Sequence, residues 1–146
     1  RRQRQMCIRD SYEPDLQLRF IDNLLKLANT SIDISDGLID DLKKMINRQS
    51  VSFHIFEKKI PISNTLSQLI EIKKLRKIDI TSRGDDYQIL FTANPIKSRI
   101  IKRISNNTGI KITKIGKIIS GKNKSKIINI KNKQIEAKNK GYIHQF

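Results

Sequence analysis

The spacing of hydrophobic residues along the chain predicts alternating helices and strands. Apolar residues three or four positions apart are typical of a helix with one buried face, whereas strict alternation is typical of a strand. The first pattern predicts helices over residues 16–29, 36–49, 63–75 and 95–109. The second pattern, or a short apolar run, predicts strands over residues 31–34, 51–57, 87–93, 110–119 and 125–132.

Residues at the ends of these segments support the assignment. Ser63 is a residue type that caps helix N-termini, Pro95 is suited to a first helical turn, and Gly109 is suited to closing a helix. The stretch "SGKNK" between the last two strands predicts a hairpin. The sequence therefore predicts an α+β (α/β-like) domain, in which a mixed sheet has helices packed on it.

Composition limits the class of protein. A chain of 146 residues can bury a core of ordinary size. Aromatic residues make up 5% of the chain and tryptophan is absent, so isoleucine and leucine must build that core. No apolar run approaches the ~20 residues of a membrane span. The single Cys7 allows no internal disulfide, so we expect a cytoplasmic location. The start at Arg1 leads us to expect a processed, cut or fragmentary product.

The chain is strongly basic, with a formal net charge of +16. Such a charge favours binding to phosphate groups, including those of nucleic acids. The lysines are spread among isoleucines and asparagines, however, and aromatic residues for base stacking are nearly absent from the basic region. An alternative explanation of this composition is an AT-rich genome, whose codons favour Lys, Ile and Asn. We therefore expect no specific nucleic-acid partner, only weak and salt-dependent contacts.

Four aspartates interrupt this basic chain where a predicted strand gives way to a helix. They are Asp33, Asp36, Asp40 and Asp41, within "SIDISDGLIDDL". An unpaired carboxylate is costly to bury, so each of them must cap a helix, pair with a cation or bind a ligand. Asp40 and Asp41 lie inside the predicted helix, and we assign them to its solvated face.

The remaining acidic residues have two interpretations. Asp36 or Ser35 could cap the helix that starts at Gly37, where the helix dipole favours negative charge. Capping leaves Asp33 unexplained, because it ends an apolar strand at the edge where α/β folds place ligands. Carboxylate oxygens in such a position suit Mg²⁺, which usually takes one or two of them and completes its shell with phosphate.

A second acidic cluster lies in "SRGDDYQILF". Gly84 permits a tight turn, Asp85 and Asp86 follow it, and an apolar strand leaves from Tyr87. Taken alone, a Gly-Asp pair is ordinary turn chemistry.

Four motifs in order give the chain a family resemblance. The stretches "SIDISDGL", "RGDDYQILF", "IGKIISG" and "KGYIHQF" resemble thiamine-monophosphate kinase, in the part similar to the C-terminal domain of aminoimidazole ribonucleotide synthetase. The resemblance implies such a domain over residues 16–146, with residues 1–15 as an arm or linker remnant. It covers the second half of the family's enzyme.

The resemblance implies ATP-dependent phosphorylation of thiamine monophosphate to thiamine diphosphate with Mg²⁺. By motif match, Asp33 and Asp36 would be metal ligands, Ser35 would contact ATP phosphate, and Asp85 would contact the thiamine moiety. Phosphoryl transfer depends on positioning and charge neutralisation, so no nucleophilic side chain is assigned.

The chain departs from the family pattern at the substrate side. Arg83, Asp85 and Gln88 stand where the family usually has a glycine and two glutamates. Asn139 stands at the substrate-binding position where the family often has an aromatic residue that stacks on substrate. Asp85 and Asn139 therefore make substrate binding less secure than metal binding.

Two hypotheses of different class follow. The first is a kinase fragment that is inactive without an N-terminal half, which a separate chain could supply, with a homodimer like the family's as a further expectation. The second is a non-catalytic basic binding module that kept the fold. We also expect His54, in an apolar strand, to be a packed or surface residue and not a ligand.

Overall fold

The computed structural model describes residues 18–47, 49–84, 88–121 and 125–136. Its helices are α1 Leu18–Leu27, α2 Leu38–Met45, α3 Asn64–Ile72, α4 Lys77–Thr81 and α5 Ser98–Thr108. Its strands are β1 Ala28–Asp33, β2 Val51–Phe56, β3 Ile89–Ala93, β4 Gly116–Ser120, β5 Lys126–Ile128 and β6 Gln134–Ile135. Single turns of 3₁₀ helix cover Glu57–Lys59 and Pro95–Lys97. None of the helices within these ranges is long and apolar enough to cross a membrane.

Several predicted helix ends are confirmed. The Ser63 hydroxyl accepts a hydrogen bond from the Leu66 N–H at 3.2 Å and caps α3. Gly109 closes α5 with a φ of 72°, in the left-handed region that glycine adopts freely. Pro95 opens the 3₁₀ turn before α5. Helix α4 and strand β6 were not predicted, because both are too short to show a hydrophobic period.

The main sheet is mixed, with the strand order β4-β2-β5-β6. Strand β2 is antiparallel to β4, with Phe53 opposite Ile118, and parallel to β5, with Ile55 opposite Ile127. The predicted hairpin between the last two long strands is therefore wrong, because β4 and β5 each pair with β2 and not with each other. Alternating hydrophobicity identifies a strand but does not identify its partner.

The chain forms two compact units. Among the described residues, one comprises those up to Ser31 together with Phe91–Ile112, and the other comprises those from Ile32 to Leu90 and those from Thr113 onward. Strands β1 and β3 pair in a two-stranded sheet.

The first unit is held by an aromatic contact and a helix cap. Phe20 is buried, and its ring lies 5.7 Å from the Phe91 ring, between centroids. The Lys97 ammonium donates to the carbonyl oxygens of Lys26 at 2.9 Å and Leu27 at 3.2 Å. A lysine at this position stabilises the end of α1, because terminal carbonyls lack partners within the helix.

The second unit contains the main hydrophobic core. As the composition predicts, the core is built mostly of isoleucine and leucine, and Ile78 is 0% exposed. Its buried members are Ile34, Leu38, Ile39, Leu42, Met45, Phe53, Ile55, Ile60, Ile78 and Ile127. Because this list includes residues on both sides of the loop between β1 and α2, the core fixes the ends of that loop.

His54 lies on the other face of β2 from the buried Phe53 and Ile55. It is half-buried, opposite Lys117 on β4 and Lys126 on β5. Burial, followed by the two neighbouring ammonium groups, lowers its pKa. These surroundings agree with a packed residue of the sheet.

Helix α4 is short and depends on contacts from outside it. The buried Glu57 carboxylate accepts the Ile78 N–H at 3.1 Å, and the Ser82 hydroxyl donates to the Ile78 carbonyl oxygen at 2.7 Å. Arg76 forms a two-point ion pair with Asp79 at 2.7 and 2.6 Å. These bonds position Ser82, which ends the helix beside the loop that follows β1.

The two isoleucines Ile78 and Ile72 offer a test of this core. Ile78→Ala should lower the free energy of unfolding by about 2–5 kcal/mol, because it removes packed methyl groups from a fully buried site. Ile72 is 79% exposed, so Ile72→Ala should change that free energy by no more than about 0.5 kcal/mol. Urea denaturation of both variants measures the difference, and equal losses would contradict the described core.

Candidate functional site

The loop between β1 and α2 is built around the carboxylate of Asp41. That side chain is 1% exposed and lies in the first turn of α2. Its Oδ2 atom accepts the backbone N–H groups of Ser35 at 3.0 Å, Asp36 at 2.9 Å and Gly37 at 3.1 Å. Three successive N–H groups therefore converge on one oxygen, and the loop is bent around it.

The other carboxylate oxygen of Asp41 is also occupied. Its Oδ1 accepts the Lys44 ammonium at 2.9 Å. Burial acts to raise the pKa of Asp41, but the hydrogen bonds from Lys44 and from the backbone of Asp36 and Ser35 outweigh it, so the pKa lies below its ordinary value. The carboxylate is thus held in its charged form.

This arrangement corrects the prediction that Asp41 lies on a solvated face. Asp40 does lie toward the surface, where it pairs with Lys43 at 2.7 Å. The adjacent Asp41 points inward, because successive helix positions face in directions about 100° apart. One signal in the sequence could have identified the role of Asp41. An acidic residue in the first turn of a helix can accept hydrogen bonds from the backbone N–H groups that precede the helix.

The predicted side-chain cap is also wrong. The N-cap of α2 is Gly37, which has no side-chain cap, and its φ of 115° lies in the region that favours glycine. Ser35 and Asp36 do not accept the helix N–H groups. Their own backbone N–H groups donate to Asp41, which takes over the role of a cap from within the helix.

The two acidic motifs meet in this unit. A Cβ atom on Gly84 would lie 2.4 Å from the Ser35 carbonyl oxygen, and one on Gly37 would lie 2.6 Å from the Ser82 carbonyl oxygen. Only glycine allows the two backbones to approach so closely, and both glycines have positive φ values. The loop before α2 and the loop after α4 are therefore packed backbone against backbone.

The predicted substrate residue Asp85 follows Gly84 in sequence but lies outside the described residues, as does Asn139. The next described residue is Gln88, whose carbonyl oxygen accepts the Ile34 N–H at 2.9 Å. Residues on both sides of Asp85 and Asp86 thus contact the loop that follows β1.

The three predicted ATP and metal residues lie in or beside this loop. Asp33 ends β1 and is exposed, and no ion pair or side-chain hydrogen bond joins its carboxylate to another described residue. Ser35 is half-buried. The Asp36 side chain is 27% exposed and forms an ion pair with Lys44. Hydrogen bonds to Asp36 and then Asp41 raise the pKa of Lys44.

The donor chemistry of these residues fits Mg²⁺ held jointly with phosphate. Within the described ranges, no group of three or more His, Cys, Asp or Glu residues could hold a metal ion unaided. Mg²⁺ commonly takes only one or two protein carboxylates and completes its shell with water and phosphate oxygens. Asp33 and Asp36 offer two partly or fully exposed carboxylates of that kind, whereas both oxygens of Asp41 are already occupied.

Comparison with known proteins confirms the predicted resemblance. The chain is 36% identical over 80 residues to the thiamine-monophosphate kinase of Aquifex aeolicus (strain VF5), covering 54% of this chain and 26% of the relative. It is 34% identical over 124 residues to that of Buchnera aphidicola subsp. Schizaphis graminum, covering 83% of this chain and 37% of the relative. No protein-family model matches the chain. The chain thus spans about a quarter to two fifths of the length of these relatives.

The fold agrees with the sequence comparison. The solved structure of AaThiL complexed with AMPPCP and TMP matches this chain with a TM-score of 0.67 and 28% identity. The match covers 93% of this chain and 40% of AaThiL. The chain is therefore similar to thiamine-monophosphate kinases in sequence and in structure, and its predicted α+β fold class is confirmed.

The neighbours Asp40 and Asp41 form a matched pair for testing the loop. Asp41→Asn should lower the free energy of unfolding by about 2 kcal/mol or more, because the buried network loses its negative charge and one acceptor oxygen becomes an NH₂ donor. Asp40→Asn should change it by no more than about 0.5 kcal/mol, since its ion pair with Lys43 is near the surface. Urea denaturation distinguishes the two, and similar losses would show that Asp41 does not organise the loop.

The contact between the motifs is tested by two glycines with similar backbone angles. Gly109 has a φ of 72° and open space where a Cβ would lie, whereas Gly84 has a φ of 91° and faces the Ser35 carbonyl. Gly109→Ala should cost about 1 kcal/mol for its backbone conformation. Gly84→Ala should cost about 1–3 kcal/mol more, because the methyl group forces the two backbones apart. Equal losses in thermal or urea unfolding would contradict the described contact.

Proposed function

We propose that this chain is the C-terminal part of a thiamine-monophosphate kinase, which transfers the terminal phosphoryl group of ATP to thiamine monophosphate and forms thiamine diphosphate. The observation that carries the proposal is the packing of Gly84 against the Ser35 backbone, which brings together two motifs that lie far apart in the sequence. A site that transfers a phosphoryl group between two phosphorylated substrates has to hold both of them close together, so contact between the two motifs supports the proposal. Similarity to AaThiL complexed with AMPPCP and TMP supports the same two ligand classes, an adenine nucleotide and thiamine monophosphate.

In this proposal, Asp33 and Asp36 hold Mg²⁺ and Ser35 contacts a phosphate of ATP. When bound, Mg²⁺ would supply positive charge that neutralises the phosphate oxygens. The Ser35 hydroxyl forms no hydrogen bond with another described residue, while its backbone N–H is fixed on Asp41. A hydroxyl carried by such a fixed backbone is suited to orienting a phosphate.

The substrate side of the proposal rests on Asp85 and Asn139. A carboxylate at Asp85 can pair with the cationic thiazolium or accept a hydrogen bond from the aminopyrimidine. An amide at Asn139 can donate and accept hydrogen bonds, but it cannot stack as an aromatic side chain does. We therefore propose that thiamine monophosphate is held here by polar contacts more than by stacking.

The basic charge of the chain contributes at long range. A net charge of +16 raises the local concentration of both phosphorylated substrates. It does not select between them, so specificity falls to the residues of the two motifs.

The function is tested by a chimaera. The segment of the Buchnera aphidicola subsp. Schizaphis graminum enzyme that matches this chain is replaced by the corresponding residues of this chain, and formation of thiamine diphosphate from ATP, Mg²⁺ and thiamine monophosphate is measured. The chimaera should form product. Asp36→Asn should lower the rate by about 100-fold or more, as loss of a preorganised electrostatic group does.

Asp40→Asn serves as the matched control and should keep the rate within about twofold of the parent chimaera, because its pairing is near the surface. The isolated chain should form no product, since it spans about a quarter to two fifths of the relatives' length. A chimaera that unfolds cooperatively but forms no product, or one whose rate does not depend on Asp36, would contradict the proposal. Either result would favour a binding module that kept the fold without the chemistry.

A further inference from the structure

Lys44 joins the buried Asp41 to the partly exposed Asp36. Its ammonium donates to Asp41 Oδ1 at 2.9 Å and also to Asp36 Oδ2. The Lys44 side chain is 51% exposed, so its charged end is at the surface while it bridges the two carboxylates. The bridge joins the loop to α2.

The two ends of this bridge are not equivalent. Asp41 cannot turn toward a ligand, because its other oxygen accepts three backbone N–H groups and its side chain is buried. Asp36 is partly exposed, and its carboxylate pairs with Lys44 in the described structure. Asp36 is therefore the end of the bridge that can be exchanged.

A divalent cation and an ammonium group compete for the same carboxylate. Two positive groups a few ångströms apart repel each other, and at a half-exposed site this repulsion is reduced by water but not abolished. We propose that Lys44 is an internal cation that occupies Asp36 in the metal-free protein, and that it has to leave that carboxylate before Mg²⁺ binds. This inference rests on the proposed function, which assigns Asp36 to the metal.

The position of Lys44 keeps the free-energy cost of such an exchange small. A long, half-exposed side chain can move into solvent without leaving a cavity. Lys44 also lies in the last turn of α2, where the helix dipole favours a cation, so it keeps a favourable location after it leaves Asp36. Lys44 thus stabilises the empty loop and limits how tightly Mg²⁺ alone can bind.

Lys43 provides the control, because it is the adjacent lysine and pairs with Asp40 instead. Binding of MgCl₂ alone to the chain is measured by titration calorimetry for the wild type, Lys44→Gln and Lys43→Gln. Lys44→Gln should bind Mg²⁺ roughly tenfold more tightly, because a neighbouring positive charge is removed. Lys43→Gln should stay within about twofold of the wild type.

Thermal melts give a second readout that does not depend on catalysis. In metal-free buffer, Lys44→Gln should melt below the wild type, because Asp36 and Asp41 lose their shared cation. With saturating Mg²⁺ the difference in melting temperature should shrink. The metal then neutralises Asp36 in the variant without having to displace a lysine. A lysine with a purely structural role would lower the melting temperature equally in both buffers, and that result would overturn the proposal.

Asp36→Asn distinguishes failure of this inference from failure of the proposed function. If the wild type binds Mg²⁺, Asp36→Asn abolishes binding and Lys44→Gln does not tighten it, then Lys44 is not a competitor and this inference alone is wrong. If neither the wild type nor Lys44→Gln binds Mg²⁺, the inferred competition is absent and this inference alone is wrong, because the proposed function has phosphate complete the metal's shell. If Asp36→Asn leaves Mg²⁺ binding unchanged, then Asp36 is not a metal ligand, and both the inference and the metal assignment of the proposed function are wrong.

Discussion

The Asp41 carboxylate is the interaction on which the rest of the candidate site depends. One of its oxygens accepts three successive backbone N–H groups, and the other accepts the Lys44 ammonium. Burying a carboxylate costs several kcal/mol, whereas each hydrogen bond to a charged group returns about 1.5–3 kcal/mol. The lowered pKa of Asp41 indicates that its partners outweigh its burial. The loop that carries Ser35 and Asp36 therefore has one preferred shape.

That shape is what allows the second motif to dock. Gly84 approaches the Ser35 carbonyl so closely that no side chain fits between them, and Gly37 makes the reciprocal approach to Ser82. A loop with several conformations could not sustain such a contact. The buried Asp41 carboxylate thus fixes the backbone of the loop before α2, and the fixed loop in turn allows the two motifs to pack together. The proposed kinase chemistry would use the side chains that this backbone leaves facing solvent.

The sequence predicts the parts of this structure that are set by local preference. Ser63 and Gly109 mark helix ends because their chemistry acts within a few residues. Pairing of β2 with both β4 and β5 was not predictable from local signals. The turn residues between β4 and β5 suggested that these two strands pair with each other, and they carry no information about β2, which lies between them. The inward orientation of Asp41 was missed for a related reason. An aspartate inside a predicted helix suggested a surface residue. Asp41 has buried partners only because the preceding loop folds back over its carboxylate.

Hydrogen exchange at the loop backbone tests the central claim most directly. The amides of Ser35, Asp36 and Gly37 should be protected in the wild-type chain, and Asp41→Ala, which removes the acceptor oxygen, should abolish that protection. The amide of Ile78, which donates to Glu57 in the core of the same unit, should stay protected in the variant and so exclude global unfolding. Unprotected loop amides in the wild type, or protection that survives Asp41→Ala, would contradict the claim that this carboxylate organises the site.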